Sequence, residues 1–423
     1  MATLGTGPVT NRIALAGATS RRALAVSCGV HALHDGYTDL LYVLLPLWQS
    51  EFGLGYATIG LLRSVYVGLM AGLQVPASMA AQRTNNLVVL TVGTALAATG
   101  YLVAGASTGL VVLVLALAIG GIGSSTQHPI GSSVVAHAYD GAQSRAALGT
   151  YNFSGDLGKM ALPVATAWLI TRLPWRGAVS IVGLAGVALA IAIPFLLRGT
   201  GAGRSARATL TAAAPGTASC GGNALRVHVG GTTISSFRLL FAIGVLDTAT
   251  RMGFLTYLPF LLRAKGAPVA TIGLALSLVF AGGATGKLVC GFLGARLGVL
   301  TTVLLTEGLT AAGILALLPL RLATGLALLP LIGIALNGTS SVLYGTVPEL
   351  VSVERRQRAF GMFYTGTIGA GAVSPAIYGL FADALGVPAT LILVAGVVLL
   401  TLPLAWLLNP ALQRLRANHQ VSA

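Results

Sequence analysis

The chain has 423 residues, of which 55% are hydrophobic and only 8% charged, and its net charge is +15. A soluble globular chain carries about 25% charged residues, so there is too little polar side chain here to cover a water-facing surface of this size. A β-barrel is excluded as well, because barrel strands are short and alternate apolar with polar residues.

A spanning helix needs roughly 20 mostly apolar residues. Twelve such runs follow one another, at residues 23–47, 57–80, 87–106, 109–137, 146–171, 177–197, 237–262, 268–293, 299–319, 323–349, 359–382 and 386–408. They divide the chain into an N-terminal tail (1–22), a six-helix bundle (23–197), a linker (198–235), a second six-helix bundle (236–408) and a C-terminal tail (409–423). The predicted fold class is an all-α membrane protein of twelve helices in two halves.

The first run follows Arg21-Arg22 as a signal peptide would, but it is long, carries His31, His34 and Asp35, and lacks a clear cleavage site. It reads as a retained helix. His31, His34, Asp35 and Asp39 are spaced three and four apart, so they share one helix face. Asp35 stands 13 residues after Arg22, roughly 20 Å along the axis at 1.5 Å per residue, which places it near mid-membrane. A carboxylate there has its proton affinity tuned by desolvation and by neighbouring charges, as a proton-coupling group requires. The alternative is a packed polar network, with Asp39 paired to Arg63 of the second run.

The fourth run contains Gly123-Ser124-Ser125-Thr126-Gln127-His128-Pro129. Glycine and proline loosen the backbone there, which is tolerated where a helix packs closely or lines a cavity. His128 is a candidate binding residue or a hydrogen-bonded clamp. Histidines near acids also suit a divalent metal, but no tight pair recurs on a second helix, so no metal site is expected. In the fifth run Asp156 and Lys159 sit three apart, and in the seventh Asp247 and Arg251 sit four apart. Both spacings allow intrahelical pairs. Lys159 and Arg251, one from each half, become candidates to clamp an anionic substrate. Lys287 of the eighth run and Glu307 of the ninth read as a structural or gating pair.

Linker residues 198–235 are rich in Gly, Ala, Ser, Thr and Arg, which suits a flexible connection. Cys28, Cys220 and Cys290 are too few and scattered for a disulfide framework or a metal cluster. With the N-terminus inside, sixteen of the 25 basic residues fall in cytoplasmic segments and five (Arg172, Arg176, Arg263, Lys265 and Arg321) outside. This positive-inside bias sets both termini in the cytoplasm. The basic excess therefore expresses topology, with some affinity for anionic lipid headgroups, and not nucleic-acid binding.

Ala57-Thr58-Ile59-Gly60-Leu61 recurs as Ala270-Thr271-Ile272-Gly273-Leu274. At the same offset Pro46 falls on Pro259 and Arg83 on Arg296, and Pro163 matches Pro375 nearby. A parallel duplication of six-helix halves resembles the plan of the major facilitator superfamily, which implies a substrate site between the halves near the midplane. Gly291-Phe292-Leu293-Gly294-Ala295-Arg296-Leu297-Gly298 resembles the superfamily's cytoplasmic signature, in which an Asp-Arg pair braces the inward gate. Ala295 stands at the Asp position, and Gln82 takes its place beside Arg83 in the first half. Arg83 and Arg296 remain the gating candidates.

Within that superfamily the chain resembles the fosmidomycin resistance proteins. The resemblance rests on His31-Ala32-Leu33-His34-Asp35 followed by Leu44-Leu45-Pro46-Leu47, on Gly123-Ser124-Ser125 with His128-Pro129, and on Gly155-Asp156-Leu157-Gly158 with Pro163. It implies a proton-driven exporter of small drug-like or anionic compounds, with His31, Asp35 and His128 in the central cavity. Asp156 and Lys159 depart from that family's apolar pattern and point to a different substrate. No phosphate-cradling loop and no nucleophile elbow occurs, so no enzymatic activity and no cofactor is expected. The combined reading is a monomeric secondary transporter of a bacterial inner membrane, working by alternating access and proton-coupled at Asp35. The alternatives are proton-coupled uptake of an organic anion or metal complex, and a transporter-like receptor.

Overall fold

A computed structural model describes residues 7–139, 141–201, 233–351 and 355–421. Most of the expected linker, and the first six residues of the expected N-terminal tail, lie outside the described residues. Among the described residues no strand forms. The helices are α1 (Gly7–Phe52), α2 (Tyr56–Gly72), α3 (Gln74–Arg83), α4 (Asn86–Gly105), α5 (Leu110–Ser124), α6 (Gln127–Ala138), α7 (Gly141–Ile170) and α8 (Trp175–Leu196). The second half continues with α9 (Thr233–Ala264), α10 (Val269–Leu297), α11 (Val299–Leu317), α12 (Leu322–Thr346), α13 (Arg356–Leu385), α14 (Val387–Leu399) and α15 (Thr401–Val421).

These make twelve spans, because α2 with α3, α5 with α6, and α14 with α15 are single spans interrupted by a short break. Helix extends into both tails. α1 is already helical from Gly7 and α15 continues to Val421, since helix-favouring Ala, Leu and Arg run through both ends and no Pro interrupts between Val9 and Pro46. Ten helices are long and apolar enough to cross a membrane. α1 and α7 are not among them, and these two carry the His31–Asp39 and Asp156–Lys159 polar groups.

By backbone proximity the chain forms two compact units. One comprises the described parts of Met1–Asp39, Gly72–Leu162 and Arg176–Ser219; the other comprises those of Leu40–Ala71, Pro163–Trp175 and Cys220–Ala423. Ala23, Val30, Leu90, Ile130, Val134 and Ile193 form an apolar core in the first unit. There the Tyr37 hydroxyl donates to the Val182 carbonyl at 2.9 Å, tying α1 to α8. α7 lies directly against α1, because Gly158 faces the backbone of Ala32 and any side chain there would overlap it.

In the second unit Leu240, Ile243, Val303, Leu343, Phe363 and Leu408 form the core. α2 seats on α13 through Gly60, which touches the Pro375 backbone, and Gly379, which touches that of Tyr56 and Ala57. The Asp383 carboxylate accepts the Tyr56 and Ala57 amides at 2.6 and 2.9 Å. It caps the otherwise unsatisfied N-terminus of α2 with a favourable charge. Gly298 and Gly386, at φ of 84° and 82°, turn α10 into α11 and α13 into α14.

The contact at Gly158 generates a matched pair of variants. Gly158→Ala should lower the melting temperature of the detergent-purified protein, at a cost of about 1–3 kcal/mol for overpacking. Gly149→Ala, on the same helix with nothing within 4 Å of the added methyl, should leave it unchanged.

Candidate functional site

Each unit holds one cluster of buried ionisable groups. In the first unit α1 supplies His31 and Asp35, one turn apart. α6 supplies His128 from its first turn, just after the break between Ser124 and Gln127. α7 supplies Asp156 and Lys159. The break is what aims His128, since the chain leaves the axis of α5 there and restarts with Pro129 where a missing N–H costs nothing.

Asp35, 7% exposed, divides its two oxygens between partners. Oδ1 faces His31 Nε2 at 3.5 Å and His128 Nε2 at 3.6 Å, while Oδ2 meets Lys159 Nζ at 3.2 Å. Lys159 also reaches Asp156 at 3.8 Å. The expected Asp156–Lys159 pair is therefore present, but the lysine's nearer partner is Asp35.

Tyr151, which the sequence did not single out, orients His31. Its carbonyl lies 2.8 Å from His31 Nδ1, and its ring stacks on the imidazole at 4.1 Å and 17°. A carbonyl only accepts, so Nδ1 carries a hydrogen. Tyr151 is itself held by Gln127, whose amide donates to its hydroxyl at 3.1 Å. Gly155 leaves the remaining room, since a side chain there would strike the Asp35 carboxylate and the His31 ring.

The other residues of the expected α1 face separate. His34 turns to α4, its Nε2 lying 3.1 Å from the Thr94 hydroxyl, which is already donating to the Leu90 carbonyl. It is thereby a clamp between helices. Asp39 is buried and close enough to Lys159 to act on its charge.

In the second unit Asp247 and Glu307 are 3% and 1% exposed, and their carboxyls lie close enough to act on each other. Arg251 lies close enough to act on both acids. Glu307 of α11 thus lies near Asp247 of α9. Arg63 is 2% exposed and donates to the Tyr42 hydroxyl at 3.0 Å while lying over that ring at 4.5 Å. Arg83 and Arg296 are exposed near helix ends, the latter over Phe292 at 4.4 Å.

The family model for the major facilitator superfamily matches residues 28–238 and 240–422. The chain belongs to the major facilitator superfamily. No protein of curated function matches the sequence. Among solved structures it is similar to a bacterial homologue of the human lysosomal transporter Spinster, inward-facing and occupied. That match has a TM-score of 0.75 at 15% identity and covers 97% of this chain and 99% of that one. It is similar also to a sulfate-bound variant of the peptide transporter POT, with a TM-score of 0.73 at 14% identity, covering 93% and 95%. A variant of the nucleoside transporter NupG matches with a TM-score of 0.70 at 13% identity, covering 92% and 99%. At these identities the likeness is one of fold.

The Asp35–Lys159 contact is measurable by a double-mutant cycle. Lys159→Met should destabilise the protein, by less than the about 3–5 kcal/mol of a fully buried pair because Lys159 is 28% exposed. Adding Asp35→Asn should recover part of that loss, with a coupling of roughly 1–3 kcal/mol. Additive losses would contradict the pairing.

Proposed function

We propose that this superfamily member is a secondary active transporter that exports a small organic anion by alternating access in exchange for protons. The observation that carries this reading is the pair of buried acids Asp247 and Glu307 beside Arg251. A coupling site must hold a proton in one state and release it in another. An acid dyad with a single shared proton meets that need, since its second carboxyl and a nearby arginine accommodate the charge left on release.

The sequence had favoured Asp35 for this role. Asp35 has an ammonium at 3.2 Å and is satisfied as a carboxylate without a proton, so the coupling proton is assigned to Asp247 and Glu307. Lys159 and Arg251 offer cationic charge to an anionic cargo, each in its own unit. The positive-inside bias supports a plasma membrane setting with both termini cytoplasmic. The preference for arginine (22, against three lysines) fits a GC-rich bacterial source, and the HALHD and HP motifs are the grounds for placing the chain beside the fosmidomycin resistance proteins.

Inside-out vesicles carrying an imposed proton gradient and a pH-sensitive dye test the reading against a panel of organic anions, drugs and divalent metals. A compound that collapses the gradient with the wild type should do so at least about tenfold more slowly with Glu307→Gln, which keeps the shape and removes the titrating group. A panel compound that stabilises the wild type against heat yet moves no protons would contradict proton coupling.

A further inference from the structure

The cluster in the first unit has a feature that the ion pair with Lys159 does not explain. His31 is 3% exposed, and its Nε2 has no hydrogen-bond partner. The Tyr151 carbonyl fixes a hydrogen on Nδ1 and leaves Nε2 facing an oxygen of Asp35 3.5 Å away. A positive charge between these two atoms, a proton or a metal ion, satisfies both. His128 Nε2 adds a third ligand atom, and the three lie within 4.8 Å of one another.

We infer that His31 Nε2, His128 Nε2 and Asp35 Oδ1 form a binding site for a first-row divalent transition-metal ion, with the fourth position open to water or to an anionic group of the cargo.

Three independent observations fit this chemistry. Tetrahedral bonds of about 2.0–2.1 Å to nitrogen and oxygen set the ligand atoms about 3.3 Å apart. The two edges through Asp35 measure 3.5 and 3.6 Å, so a small contraction closes the triad on an ion. The surroundings supply the outer contacts that metal ligands need: His31 donates its far N–H to a backbone carbonyl, and the oxygen of Asp35 turned away from the histidines is held by Lys159. Such contacts fix ligand orientation and basicity. Access is also present, because the His128 side chain is 42% exposed, which provides a route for entry. Two imidazoles and one carboxylate suit Zn²⁺, Co²⁺, Ni²⁺ and Fe²⁺ better than the oxygen-seeking Mg²⁺ or Ca²⁺.

As a statement about cargo the inference rests on the transport reading above, since the metal would then travel with, or bridge to, the exported anion. As a statement about binding it stands on the triad alone. Co²⁺ is the probe, added to the full-length protein purified in detergent and followed by visible absorption. The expected result is one Co²⁺ per chain with the intense bands of a four- or five-coordinate ion, displaced by Zn²⁺. His128→Ala alters only a half-exposed side chain and should weaken binding at least about tenfold while the protein elutes as the wild type does. Asp35→Asn should weaken it likewise, and His137→Ala, at an exposed histidine outside the triad, should not. A wild type showing only the pale spectrum of aqueous Co²⁺, or an unchanged titration in His128→Ala, would overturn the inference. Either result would leave gradient collapse in vesicles untouched, whereas failure of gradient collapse would leave the Co²⁺ spectrum untouched.

Discussion

A charged side chain near the middle of a bilayer costs roughly 3 kcal/mol, and the protein must compensate it from its own groups because neither lipid nor bulk water will. This constraint organises both units. Asp35 and Asp156 draw on Lys159, while Asp247 and Glu307 draw on Arg251. It also accounts for α1 and α7, the two spans that fall short of the apolarity of the other ten. They are polar because they carry the first cluster, and they are held in place by packing against neighbours more than by preference for lipid.

Close helix approach makes the compensation geometrically possible. A lysine stem reaches a carboxylate on another helix only when the two backbones are near, and Gly158 provides that nearness one position before Lys159. The break at Ser125–Thr126 does the equivalent for His128, turning a side chain inward that a continuous helix would have carried past. In the second unit the Glu307 carboxyl meets Asp247 within a layer of hydroxyls, where Thr339 donates to Thr306 at 2.7 Å and Thr306 to Thr302 at 2.8 Å. Each cluster is thus surrounded by fixed dipoles in place of water.

Much of the architecture was legible in the sequence because hydropathy reports solvent directly. Twelve apolar runs, the duplicated Ala-Thr-Ile-Gly-Leu segment and the paired prolines led to the fold. The breaks within the second and twelfth spans were not legible, since Leu73 and Leu400 carry no turn signal. Within the site, His31, Asp35, His128 and Lys159 were singled out in separate groups, and their meeting depends on how α1, α6 and α7 pack. Helical spacing alone could not divide His34 from His31, because that separation depends on Thr94 of a distant helix. Nor could it identify Tyr151, whose contribution is partly a backbone carbonyl that any residue possesses. Glu307 was matched by sign to Lys287; that another acid, Asp247, also lies near it depends on tertiary packing, which helical spacing does not report.

The account depends most on the proton that we propose Asp247 and Glu307 share at neutral pH. Infrared spectroscopy of the purified protein observes it directly, through the carbonyl stretch of a protonated carboxylic acid buried from water. The band should be present in the wild type and absent from both Glu307→Gln and Asp247→Asn, in each of which the amide donates the hydrogen and the remaining acid ionises. A wild type without the band, or a band that survives in both variants, would contradict the shared proton and with it the assigned coupling site.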